Sequence, residues 1–254
     1  MELNFKKLGA GEPLIILHGL FGSLDNWMTL AKQWSKSFEV YLVDQRNHGQ
    51  SPHSIEFSFE LMAADLMELI QAEKINNPII LGHSMGGKTA MEFAIRHPEL
   101  VKQLIVVDIA PVKYEVHHYT IIDALKNVPL NEIGSRKEAE VFLAEKISEF
   151  GIRQFLLKNL YWKGKDQLAW RFNLEVLSDR IIPISEHNVA QGLFEKETLF
   201  IKGANSNYIL AEYENEIAMK FPNYELEIID GAGHWVHAEK MKEFSEVVWA
   251  FLKA

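Results

Sequence analysis

The sequence predicts an α/β protein built on a mainly parallel sheet, with one helical insertion. Short runs rich in Ile, Leu and Val recur along the chain, bounded by Gly, Asp or Pro, and such runs suit parallel strands covered on both faces. Helical patterns lie between most of these runs, so strand and helix alternate. The alternation breaks only between about residues 112 and 192, which reads as helices inserted over the carboxyl edge of the sheet, where open α/β sheets bind ligands. Residues 1–111 and 193–254 are therefore expected to form one core, with 112–192 as a cap inserted into it.

Taken in order, the expected strands are "LIIL" (14–17), "VYLV" (40–43), "IIL" (79–81), "LIVV" (104–107), "LFI" (199–201) and "LEII" (226–229). Between the second and third, "SFELMAADLMELIQAE" puts Met62, Leu66, Leu69 and Ile70 on one helical stripe. "TAMEFAIRH" continues as a helix after the third. In the insertion, "SRKEAEVFLAEKISEF" opens with Ser135 and Glu138 at capping-box spacing. "NLYWKGKDQLAWRFN" reads as a hairpin around Gly164. The insertion is rich in aromatic residues, most of which are expected to form its own core.

Composition narrows the function. The chain has 254 residues, 48% hydrophobic and 24% charged, enough for a sizeable core. A formal net charge of −9 argues against nucleic acid or an anionic membrane as partner, because the long-range field repels polyanions. A small-molecule substrate fits better. With no cysteine, disulfides, thiolate metal sites and cysteine nucleophiles all drop out. No apolar run approaches the roughly 18 residues of a membrane span and the start lacks a signal-peptide core, so a cytoplasmic protein is expected. Oligomeric state is left open.

"GHSMGGKT" (82–89) fits two catalytic signatures at once. Gly82, Ser84 and Gly86 spell G-x-S-x-G, the strained strand-to-helix turn of a serine nucleophile. Gly82, Gly87, Lys88 and Thr89 spell G-x-x-x-x-G-K-[ST], a phosphate-binding loop, and "LIVVD" ending at Asp108 would serve as its magnesium-binding strand. Two distant segments decide between them. "IIDGAGHW" places His234 in a Gly-rich loop after the last strand, and "ILHGLFG" supplies a His-Gly turn after the first. Acyl transfer needs such a base and such oxyanion donors, whereas phosphate binding explains neither. The Lys88-Thr89 match is read as chance overlap.

Several separated motifs, "HGLFGSLDNW", "DQRNHGQSP", "GHSMGGK", "VVDIAPV", "QFLLKNL" and "GAGHWVHAEK", together resemble the α/β-hydrolase superfamily over nearly the whole chain. Within it the similarity is to the small bacterial YbfF-like esterases. The resemblance implies hydrolysis of acyl esters or acyl thioesters without a cofactor, and no second ligand cluster at metal spacing points to a metal.

In this reading Ser84 is the nucleophile and His234 the general base and acid, with His237 a packing or capping rival. The orienting acid is less direct. After the "LFI" strand, where most of the superfamily carries it, the sequence runs "KGANSNY" with no carboxylate before Glu212. Asp108 is the replacement, at the carboxyl end of the strand after the nucleophile's own and in the order Ser, Asp, His; Asn205 and Glu212 are alternatives. The YbfF-like resemblance also implies Asp108. Asp230 reads as a turn residue. Oxyanion donors are expected from the backbone N–H groups of Met85 and of Leu20 or Phe21. His18 and His83 support the turns, and Asp44, Arg46, Asn47 and His48 form a buried loop network rather than a metal site. Lys88 reads as a surface or cap contact. The alternatives are a carbon-carbon bond hydrolase or perhydrolase on the same triad, or a ligand receptor on this fold.

Overall fold

The computed structural model describes residues 1–116, 118–165 and 167–253; His117 and Asp166 therefore lie outside the described residues of the insertion and its hairpin. The chain runs β1 (Phe5–Leu8), β2 (Glu12–Leu17), α1 (Met28–Trp34), β3 (Phe38–Val43), α2 (Phe59–Ala72), β4 (Ile79–His83), α3 (Met85–Arg96) and β5 (Gln103–Val107). Next come α4 (Tyr119–Lys126), α5 (Arg136–Ala144), α6 (Phe150–Leu157), β6 (Leu160–Trp162), β7 (Leu168–Trp170), α7 (Leu174–Asp179) and α8 (Ile181–Ser185). The chain ends with β8 (Thr198–Gly203), α9 (Glu214–Lys220), β9 (Tyr224–Ile229), α10 (Val236–Glu239) and α11 (Met241–Lys253).

Seven strands form one sheet in the order β1-β3-β2-β4-β5-β8-β9. All neighbours pair parallel except β1 on β3. The sequence pattern missed β1: its "FKKL" is an edge strand with its lysines exposed, so it lacks a continuous apolar run. The inner strands are apolar on both faces for a visible reason. Ile15, Leu17 and Ile80 pack with α2, α3 and α9 on one side, while Leu14, Ile16, Ile79 and Leu81 pack with α1 and α11 on the other.

Local signals start the helices as expected. Ser58 accepts a hydrogen bond from Leu61 N–H at the head of α2, and Ser135 from Glu138 N–H at the head of α5. Glu138 reaches back to Gly134 N–H instead of that of Ser135. β6 and β7 pair antiparallel around Gly164, whose φ of 80° requires the left-handed region. The helices and hairpin between β5 and β8 bury a third apolar cluster, which includes Leu143, Leu156, Trp170 and Phe172. That cluster is shared with the core: Phe21, Phe57, Phe59, Met62 and Met85 all enter it. No helix among the described residues is long and apolar enough to cross a membrane.

Candidate active site

The register of the sheet brings the site together. His83 pairs with Val107 and Val107 with Ile201, so the residues that follow β4, β5 and β8 emerge side by side at the carboxyl edge. Ser84 and Asp108 are the first residues beyond two neighbouring strands. Both adopt positive φ, 52° and 51°, costly for non-glycine residues and kept only where surrounding contacts enforce it. Ser84 N–H bonds Val107 carbonyl, and Asp108 N–H bonds Ile201 carbonyl.

The Ser84 turn is enforced sterically. A Cβ on Gly82 would sit 2.2 Å from the Gly86 carbonyl oxygen, and one on Gly86 would sit 2.4 Å from that of Leu17. Only glycine lets α3 start this close to the sheet, and the result lifts Ser84 to the helix's head, with its side chain facing His234.

His234 Nε2 lies 3.0 Å from Ser84 Oγ, and His234 Nδ1 lies 2.7 Å from Asp108 Oδ2. A carboxylate only accepts, so Nδ1 carries the proton toward Asp108 and Nε2 presents its lone pair to the Ser84 hydroxyl. Asp108 is fully buried and also accepts from Gly203 N–H (3.0 Å) and from the Ser206 hydroxyl. The loop after β8 thus contributes donors to Asp108 in place of a carboxylate of its own. Asn205 is exposed, with its N–H on the Ala232 carbonyl, and Glu212 is exposed; the His234 ring nitrogens meet Asp108 and Ser84 instead. Asp230 is an exposed turn residue.

His234 is held from several sides. Glu239 accepts from Gly233 and Trp235 N–H, fixing its loop. His83 Nε2 donates to the His234 carbonyl at 2.9 Å. The Tyr208 ring stacks on the imidazole with centroids 4.0 Å apart. Tyr208 and Ser206 were not singled out in the sequence, because nothing local distinguishes a residue that packs against a histidine in a distant loop. His237 is buried and stacked on Trp27, a packing role. Burial pushes its pKa down to about 3, with the charge of His234 acting the same way.

Behind the first turn, His18 Nδ1 donates to Gly19 carbonyl and Nε2 accepts from Gln45 N–H, so the ring is neutral, and burial drives its pKa down to about 4. His48 Nδ1 donates to Arg46 carbonyl and Nε2 accepts Phe21 N–H; burial, then His18, brings its pKa to about 3. The Phe21 N–H is therefore already engaged. Among the described residues the N–H groups of Leu20 and Met85 have no acceptor, and both residues border the same pocket as Ser84. Asp44, Arg46 and Asn47 form a hydrogen-bonded loop network: Asp44 accepts from Leu24 and Gln50 N–H, Arg46 pairs with Asp65, and Asn47 accepts from Ser54 N–H.

The pocket beside Ser84 is small, with about 50 Å³ of free cavity volume, and most of its surface is apolar, from Leu20, Phe59, Met85, Ile109, Ile181 and Ile184; Lys88, Tyr114 and Tyr208 also line it. Of the two expectations for Lys88, a surface position or a contact with residues 112–192, the structure has the second, with Lys88 2% exposed. Its ammonium donates to the carbonyls of Val112 and His187, both in the insertion. Thr89 bonds Gln45 Oε1 and Met85 carbonyl. The residues that would grip a phosphate are thus committed elsewhere, and Asp108 serves His234.

A sharp serine-bearing turn on a mainly parallel sheet, with a histidine and a buried aspartate in line, defines a class, and the comparisons agree with it. The chain belongs to the α/β-hydrolase family, matching the alpha/beta hydrolase fold over residues 12–130, and is a hydrolase of the esterase/lipase kind. It is 39% identical to the mouse (Mus musculus) sn-1-specific diacylglycerol lipase ABHD11, over 99% of this chain and 85% of that protein. It is 36% identical to the esterase YbfF of Escherichia coli, over 94% of each. A solved marine microorganism esterase superposes with a TM-score of 0.96 at 44% identity, covering 98% of this chain and 99% of that one.

Proposed function

We propose that this protein hydrolyses carboxylic esters and acyl thioesters of small acyl groups through an acyl-enzyme formed on Ser84. The observation that carries the reading is the unbroken line from Ser84 Oγ through His234 to Asp108, at 3.0 and 2.7 Å. Ser84 Oγ attacks the carbonyl carbon while its proton passes to His234 Nε2. Asp108 holds the tautomer and stabilises the imidazolium without taking the proton. The developing oxyanion is met by the N–H groups of Leu20 and Met85. Collapse expels the alcohol or thiol with the proton from His234; water, deprotonated by the same imidazole, then releases the carboxylic acid and restores Ser84.

In this proposal residues 112–192 form a cap on a core of residues 1–111 and 193–254, and its isoleucines receive the acyl group. Labelling with a fluorophosphonate followed by mass spectrometry should find the adduct on Ser84 and none on Ser84→Ala. Turnover of p-nitrophenyl acetate should fall by about 10⁴-fold or more in that variant. Full turnover by folded Ser84→Ala would refute the mechanism. Parallel ester and acyl-thioester assays decide the leaving group.

A further inference from the structure

Both ends of the insertion are tied to the helix that carries Ser84, by charged groups that the proposed chemistry does not use. Lys88 lies one turn beyond Ser84 on α3, its N–H bonded to Ser84 carbonyl at 3.0 Å. Its ammonium holds Val112 carbonyl, at the outgoing end, and His187 carbonyl, at the returning end. One turn further, fully buried Glu92 accepts from Ala190 N–H at 2.9 Å and lies 3.1 Å from His187 Nε2. The two ends are also joined directly, Tyr114 N–H to Ser185 carbonyl at 2.9 Å. Between these ties lie the pocket residues Tyr114, Ile181 and Ile184.

Burying an ammonium is costly unless its donors are satisfied, and a single apolar side chain would fill the space more cheaply. Two carbonyls from opposite ends of an insertion are a geometric constraint rather than a charge pair. We infer that Lys88, backed by Glu92, is a positioning residue that fixes the distance between the acyl pocket's insertion wall and the Ser84 turn, and so sets the acyl length the enzyme accepts. This rests on the esterase reading above. Burial lowers the Lys88 pKa to about 7, with Glu92 opposing and Lys220 acting the same way as burial.

The test compares wild type, Lys88→Met and His187→Ala on p-nitrophenyl acetate, butyrate and octanoate, with hydrogen exchange followed over residues 112–116 and 185–190. His187 is only half-buried, so its variant keeps the test open should Lys88→Met fail to fold. The expected result is a rise of fivefold or more in the octanoate-to-acetate ratio of kcat/KM, carried by KM. Faster exchange at both ends of the insertion should accompany it, with a smaller shift of the same sign in His187→Ala. An unchanged ratio in folded variants, or a loss equal across all three esters, overturns the inference. Failure of the esterase reading shows separately, as wild-type turnover that Ser84→Ala does not abolish.

Discussion

The turn that bears Ser84 and the turn that bears Asp108 look alike and are built differently. Each follows one of two neighbouring parallel strands, and each has φ near 50°. The Ser84 turn is held mainly by close contacts: Gly82 against Gly86 within the turn and Gly86 against the adjacent β2 end leave no room for a side chain, with one further bond to Val107 carbonyl. The Asp108 turn is held by groups from about 95 to 126 residues away: Gly203 N–H, Ser206 and His234. A local device leaves a spaced motif in the sequence, whereas a long-range one leaves only a single aspartate at a strand end.

The largest expected effect breaks the second turn. Asp108→Asn would present an amide N–H to groups that are themselves donors, or turn its single oxygen away from His234. His234 then adopts the opposite tautomer, with Nε2–H facing Ser84 and no lone pair to accept its proton. The expected loss in kcat is about 10⁴-fold with little change in fold, measured by steady-state kinetics beside circular dichroism. A loss under tenfold would mean that Asp108 is not the orienting acid.

Acid should act less selectively, destabilising the whole fold through its buried neutral histidines. His18, His48 and His237 have folded pKa values near 4, 3 and 3, mainly through burial, against an unfolded value of about 6.5. Below pH 6.5 the unfolded chain binds the extra protons first, so stability falls with falling pH until the folded pKa values are reached. Together they should cost on the order of several kcal/mol between pH 6.5 and pH 4, seen as a declining urea midpoint. A flat midpoint over that range would show that these rings are not held neutral by the fold.

The smallest effect separates neighbours in one loop. Ser206→Ala removes one of the donors to Asp108 and should lower kcat about tenfold, the scale of one charge-assisted hydrogen bond of about 1.5 kcal/mol. Asn205→Ala, exposed beside it, should stay within about twofold. The reverse ranking would move the acid's support elsewhere in the loop.

The sequence by itself determined the alternating α/β order, six of the seven sheet strands, the Ser84 turn and the Gly-rich loop of His234, because apolar periodicity, glycine requirement and helix caps act over a few residues. It also narrowed the acid to Asp108, Asn205 or Glu212, since a carboxylate was missing where the next strand ends. Only the tertiary structure decided which of these lies beside His234, that Ser206 and Tyr208 attend the pair, that Phe21 N–H is taken by His48, and that Lys88 is buried. Each of those facts depends on which strands lie side by side and on how the segments between them pack. Sheet order and long-range packing are set by the free energy of the whole chain, so no short stretch of residues records them.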